Sequence, residues 1–144
     1  MSPAWSAAAD LVLGTEGDRG PPDASGFLGH WRNTNPQSSR IRELTIQAER
    51  GGLTIQIWGA AGDARVDWGV RRAEAFACIE ENGVPAASLF ATYDFGFMTM
   101  ELQLRLNKGI LPLMSFSRFG DDSGRSNYYT REFFYRGAGA WDAC

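Results

Sequence analysis

One histidine, His30, stands in a chain of 144 residues, and that single imidazole limits any nucleophilic chemistry. Ser-His-Asp and Cys-His machinery both need a histidine to accept the nucleophile's proton, so their usual forms would have to be built around this residue. His30 falls between Gly29 and Trp31 on what reads as the first strand. A structural part is expected of it, and a pairing with Cys78 stays open. Zinc needs three or four His, Cys or carboxylate ligands at defined spacings, which one His and the distant Cys78 and Cys144 do not provide. The phosphate-cradling patterns G-x-x-x-x-G-K-S/T and G-x-G-x-x-G are absent. Asp121-Asp122-Ser123-Gly124, followed by Glu132, has the outline of a calcium loop, but Arg125 takes a ligand position and Ser126 the place of the required glycine. That segment reads as a polar hairpin turn. No metal and no cofactor are expected.

What remains is an aromatic and thioether inventory. Trp31, Trp68, Tyr93, Met98, Met100, Met114, Phe116, Tyr129 and Phe133, with Trp58, would crowd the inside of a small sheet-built container. They are either plain core or, where the space is not wholly filled, the walls of a pocket, for which aromatics and adaptable methionines are common linings. Arg118 follows Met114 and Phe116 at strand spacing, and Arg131 lies between Tyr129 and Phe133, so either is a candidate to point inward. An inward guanidinium needs a carboxylate or an anionic ligand, and Asp94 and Glu101 are available on neighbouring strands.

These residues have to be placed by strands. From Phe97 to Asn107 the chain alternates for eleven residues, with Met98, Met100, Leu102, Leu104 and Leu106 against Thr99, Glu101, Gln103, Arg105 and Asn107. Successive side chains of a strand face opposite sides of the sheet, so this is a strand with one apolar face. Eight strand-like segments are expected, at 27–33, 40–49, 53–59, 64–75, 86–95, 97–107, 110–119 and 127–136. They are separated by turn chemistry such as Asn35-Pro36-Gln37-Ser38, Arg50-Gly51-Gly52, Glu81-Asn82-Gly83 and Gly120 to Gly124. Facing Ala48 with Leu53 brings Ile46 to Ile55 and Leu44 to Ile57. A tight turn at Phe95-Gly96 brings Tyr93 to Met98, Ala91 to Met100 and Leu89 to Leu102. The next turn is a fork: a three-residue loop 107–109 puts Met114 and Phe116 inside, and a two-residue loop puts Leu111 and Leu113 there. The last two strands are apolar on both faces, so a covered outer surface and a homodimer are expected.

The organisation is one domain: an N-terminal arm over residues 1–25, a β-barrel over 26–137 and a tail over 138–144. Trp5 to Leu13 is the one part of the arm with helical character. The chain is 44% apolar and 22% charged, ordinary for a soluble domain. Asp10, Glu16, Asp18 and Asp23 against Arg19 account for the whole net charge of −3. A neutral body lacks the basic stripe of a phosphate-backbone binder, so no nucleic acid partner is expected. No apolar run approaches a membrane span, and no basic region marks a signal peptide, so a cytoplasmic protein without a membrane partner and with free thiols is expected.

Gly29-His30-Trp31, about eight strands, and Arg131 or Arg136 on the last strand together resemble the lipocalin and avidin-like calycin barrels. That resemblance implies an up-and-down antiparallel barrel in which the G-x-W tryptophan closes one end against an arginine of the last strand. The chain departs from true lipocalins in lacking a T-D-Y loop, the C-terminal helix and the disulfide. It is similar to small bacterial lipocalin-like proteins of unassigned function through Trp31-x-Asn33-Thr34, Trp58-Gly59, Asp67-Trp68-Gly69, Ala91-Thr92-Tyr93-Asp94-Phe95-Gly96-Phe97 and Gly124-Arg125-Ser126-Asn127-Tyr128.

The function expected is binding of one small, largely apolar molecule in the barrel lumen by Trp31, Trp68, Tyr93, Met98, Met100, Met114, Phe116, Arg118, Tyr129, Arg131 and Phe133. The alternative is a cofactor-free cyclase or isomerase, pericyclase-like, of bacterial natural-product biosynthesis, using the same cavity with Tyr93, Asp94 and Arg118 as catalytic residues. Such a reaction needs mainly a shaped, dry pocket and one acid or base.

Overall fold

The computed structural model describes residues 21–78 and 86–136. Eight strands run in sequence: β1 Gly29–Asn33, β2 Ile41–Glu49, β3 Gly52–Ala61, β4 Ala64–Ala77, β5 Ala86–Asp94, β6 Met98–Arg105, β7 Ile110–Phe119 and β8 Tyr128–Arg136. Each pairs antiparallel with its sequence neighbours, and β8 returns to β1, so the sheet is a closed up-and-down barrel. The expected fold class is therefore the observed one, and most strand limits fall within two residues of those read from the turn residues. The expected arm is described only from Pro21. The rest of it, the Glu81-Asn82-Gly83 turn and the tail from 138 with Cys144 lie outside the described residues.

Successive hairpins of an up-and-down barrel alternate between its two ends. A 3-10 turn, Ser25–Phe27, precedes β1 and caps the end that also carries the β2–β3 and β6–β7 turns. Phe27 is buried there, and its carbonyl accepts the Trp31 indole N–H at 2.9 Å. The distal end carries the β1–β2, β3–β4, β5–β6 and β7–β8 connections.

The β2–β3 register is the expected one: Ala48 faces Leu53, Ile46 faces Ile55 and Leu44 faces Ile57. Between β5 and β6 the pairing lies two residues further on, with Tyr93 opposite Met100, Ala91 opposite Leu102 and Leu89 opposite Leu104. The turn is Gly96-Phe97 rather than Phe95-Gly96, because Phe95 N–H donates to the Met98 carbonyl at 2.8 Å and Gly96 takes the positive φ of 89°. A shift of two leaves every side chain on its expected face.

The fork after β6 resolves to the two-residue turn. Asn107 and Ile110 exchange backbone hydrogen bonds, with Lys108 at φ 53° and Gly109 at φ 86° between them. Leu113 consequently faces Leu104, and Leu111, Leu113, Ser115 and Ser117 are the buried face of β7. Met114, Phe116 and Arg118 face outward. On β8, Phe134 is buried while Tyr129, Arg131 and Phe133 alternate onto the outer face.

Candidate functional site

Trp31 sits in a row that crosses the sheet from Arg136 through Trp31 and Leu44 to Ile57. The Arg136 guanidinium lies 4.3 Å over the Trp31 ring and donates to the carbonyls of Leu28 and Gly26. Of the two arginines expected against the tryptophan, Arg136 takes the place and Arg131 does not. Gly29 is required by this arrangement: at φ 124°, a Cβ there would stand 2.7 Å from Arg136 Nη1.

Tyr93 and Trp68 meet at the distal end of the lumen. Residue 68 is the extra residue of a β-bulge in β4, where Ile57 faces Gly69 but Trp58 faces Asp67. A bulge re-aims one side chain, and here the Trp68 ring lies so close over Gly59 that a Cβ on that glycine would approach it to 2.6 Å. Trp68, Tyr93 and Phe95 form a cluster of rings with centroids 5.4–5.9 Å apart. The Tyr93 hydroxyl donates to the Gly69 carbonyl at 2.7 Å, and Arg71 lies 4.8 Å over its ring. Burial raises the Tyr93 pKa well above the ordinary phenol value, reinforced by Asp67 and opposed by Arg71. Tyr93 is thus a neutral hydrogen-bond donor committed to the backbone.

Five expected pocket residues share the inner surface: Trp31, Tyr93 and Met100 are buried, and Trp68 and Met98 pack against the core from its edge. The other six do not join them. Met114, Phe116, Arg118, Tyr129, Arg131 and Phe133 stand on the outer face, where Phe116 stacks on Tyr129 at 5.3 Å and Arg131 lies 5.2 Å from the Phe133 ring. Arg118 bonds Glu101 at 2.7 Å in solvent, which corrects the expectation of an inward guanidinium. Asp94 is exposed and accepts the Gly96 N–H at 2.9 Å, capping its turn. The barrel wall therefore separates Tyr93 from both Asp94 and Arg118, and the three do not form one constellation. The physical reason for the misplaced residues is the two-residue β6–β7 turn: one residue fewer in the loop turns over the whole of β7 and, with it, its partner β8.

The middle of the lumen is filled. Trp31, Leu44, Ile57, Leu102, Leu104, Leu111 and Leu113 have no exposed surface, so no water-sized space touches them. Space opens instead at the capped end. A pocket of about 400 Å³ lies between the strap formed by residues 21–25 and the strand ends, lined by Leu28, Ala48, Leu53, Ala73 and Ala75 with Pro21 and Pro22. The strap is fixed to the sheet where Ala86 N–H donates to the Asp23 carbonyl at 2.8 Å. Asp23 also accepts the Ser25 N–H at 3.0 Å, which lowers its pKa. Sequence reasoning missed this pocket because it looked for large side chains. The signal lay in the small ones, Ala48, Ala73 and Ala75, at inward positions of strands whose neighbours carry leucine and isoleucine.

His30 is on the outer face. Its Nδ1 lies 2.9 Å from Thr45 Oγ1 and its Nε2 2.7 Å from Glu43 Oε1, so both ring nitrogens are engaged by β2 and not by Cys78. Cys78, a free thiol, follows the end of β4. Inside the wall of β7 and β8, Ser115 bonds Thr130, while Ser117 Oγ and one oxygen of Glu132 have no partner among the described residues. No three His, Cys, Asp or Glu side chains among the described residues come together as metal ligands. None of the described helices is long and apolar enough to cross a membrane.

The fold is that of an eight-stranded, all-antiparallel closed barrel, consistent with the calycin type. Comparison of the chain with family models, curated proteins and solved structures gives no match.

Proposed function

We propose that the protein is a calycin-type carrier that binds one small, largely apolar molecule at the capped end of its barrel. The observation behind this reading is the apolar pocket of about 400 Å³ under the 21–25 strap, within the ordinary range of small-ligand sites. Its walls are alanine methyls and leucine side chains with Asp23 and Ser25 at the rim, so a hydrocarbon or aromatic body would lie inward and a single polar group toward the strap. The kinship to calycins rests on the Trp31–Arg136 clasp and the up-and-down closure.

The cyclase or isomerase alternative would use the same pocket. Its expected acid and base groups are divided by the barrel wall, and the walls of the capped pocket are hydrocarbon, so binding is the better supported reading.

A neutral fluorescent naphthylamine tests it. Titration into the wild-type protein should give saturable enhancement, and Ala75→Trp, which fills the pocket, should abolish it while the far-ultraviolet spectrum stays unchanged. Saturable binding of equal strength to Ala75→Trp overturns the assignment.

A further inference from the structure

A second, chemically opposite pocket opens at the distal end of the barrel. It has a volume of about 170 Å³ and is lined by Arg32, Asn33, Pro36, Arg42, Glu43, Asp63, Arg65 and Tyr135. We propose that it binds a small oxyanion, the phosphate or carboxylate group of a metabolite. The proposal does not rest on the apolar pocket, from which it is separated by the length of the barrel.

Three guanidiniums from three strands and two carboxylates line this concave site. One of the carboxylates is already engaged. Glu43 is nearly buried on the outer face and accepts a hydrogen bond from Arg65 at 2.7 Å, with His30 Nε2 at the same distance from its other oxygen. The Arg65 guanidinium also lies 4.8 Å over the Trp58 ring. These two contacts orient the Arg65 guanidinium, which lowers the ordering cost of binding there.

Arg42 is the group that the site presents. The β2–β3 register shifts between Ile41 and Glu43, which makes Arg42 the extra residue of a bulge, and bulges re-aim side chains beside binding sites. Its Nε donates to the Ser38 carbonyl at 2.6 Å, which fixes the plane of the guanidinium. Its two Nη groups have no partner among the described residues. A planar, pre-oriented pair of N–H donors is the geometry that takes two oxygens of a carboxylate or phosphate at once. The volume holds a tetrahedral or planar oxyanion with its first water, and not a nucleotide.

The test is a titration of the ¹⁵N-labelled full chain with potassium phosphate and, separately, sodium acetate, with ionic strength held constant by chloride. Amide shifts around β1, the β1–β2 loop and Asp63 should saturate with at least one of the two. Saturation by phosphate alone assigns a phosphate group, saturation by acetate alone a carboxylate, and either supports the proposal. Arg42→Ala should weaken binding about tenfold or more. Arg42→Lys, which keeps the charge without the fork, should fall between. Arg50→Ala, at the opposite end, should bind as wild type. Shifts that fail to saturate with either ion overturn the proposal, as does wild-type affinity in Arg42→Ala. Should Arg42→Ala lose its dispersed spectrum, Arg42→Lys decides: wild-type affinity there sinks the bidentate role.

Discussion

Arg136, on the last strand, covers the ring of Trp31, on the first, at 4.3 Å, and Gly29 lies directly beneath the guanidinium. An alanine at 29 would meet Arg136 Nη1 at 2.7 Å. The arginine's end can swing away, but only by giving up the carbonyls of Leu28 and Gly26, and the positive φ of residue 29 remains strained. Gly29→Ala is expected to cost about 1–3 kcal/mol, and Arg136→Ala a similar amount from the lost ring contact and hydrogen bonds. Urea denaturation checks both. A double variant should be destabilised by less than the sum of the two, since both act on one contact.

Tyr93 carries a prediction about pH. Its folded pKa is raised above the unfolded value, so between the two the native state holds a proton that the unfolded chain has lost. The resulting stability is fully present below the ordinary phenol value of about 10 and is lost as pH rises through the folded pKa. Tyr93→Phe should cost about 1 kcal/mol near neutrality for the bond to Gly69. It should also flatten the alkaline fall in stability, read as denaturant midpoints between about pH 8 and pH 11.

The β7 register can be tested by two neighbouring residues. Leu113 is fully buried and Met114 faces out. Leu113→Ala is expected to cost about 2–5 kcal/mol, and Met114→Ala less than about 1 kcal/mol. Thermal melts that reverse this order would restore the three-residue loop and turn β7 over.

The homodimer expected from the two-faced last strands has a surface to work with. Tyr129, Phe133 and Tyr135 are exposed on the outer face of β8, with Arg131 between the first two and Phe116 of β7 beside Tyr129. We propose that a second copy covers this face. Sedimentation equilibrium should give twice the chain mass for the wild type and a single chain mass for Tyr129→Lys combined with Phe133→Lys. A monomeric wild type at tens of micromolar would remove the proposal.

Strand number and strand limits were readable in the sequence because each rests on local chemistry: alternation inside a strand, and glycine or asparagine where the chain must turn. Closure pairs the first strand with the last, and it was expected from the resemblance to the calycin barrels. The clasp of Trp31 was likewise expected from that resemblance, through Gly29-His30-Trp31, with Arg131 and Arg136 both open as its partner. Facing was less secure on β7 and β8, where Leu113 and Met114, or Tyr129 and Thr130, satisfy either orientation by composition, and only the length of one loop decides between them. Neither pocket was anticipated. The apolar one depends on the absence of side-chain volume at Ala73 and Ala75. The polar one draws on Arg32, Arg42 and Arg65, which lie at no recognisable spacing and meet only because β1 to β4 follow one another around the barrel and bring these three residues to its distal end.

The shortness of β1 has a consequence for how the molecule opens. β8 pairs with it only at Trp31, Arg32 and Asn33, whereas β7 and β8 pair from Ile110 and Tyr135 to Ser117 and Tyr128. A cylinder sheared along its length parts where its stitching is briefest, so the β1–β8 junction is the seam. Amides of β8 that face β1 should exchange with deuterium before those that face β7, and each opening would bare two strand edges able to recruit another chain.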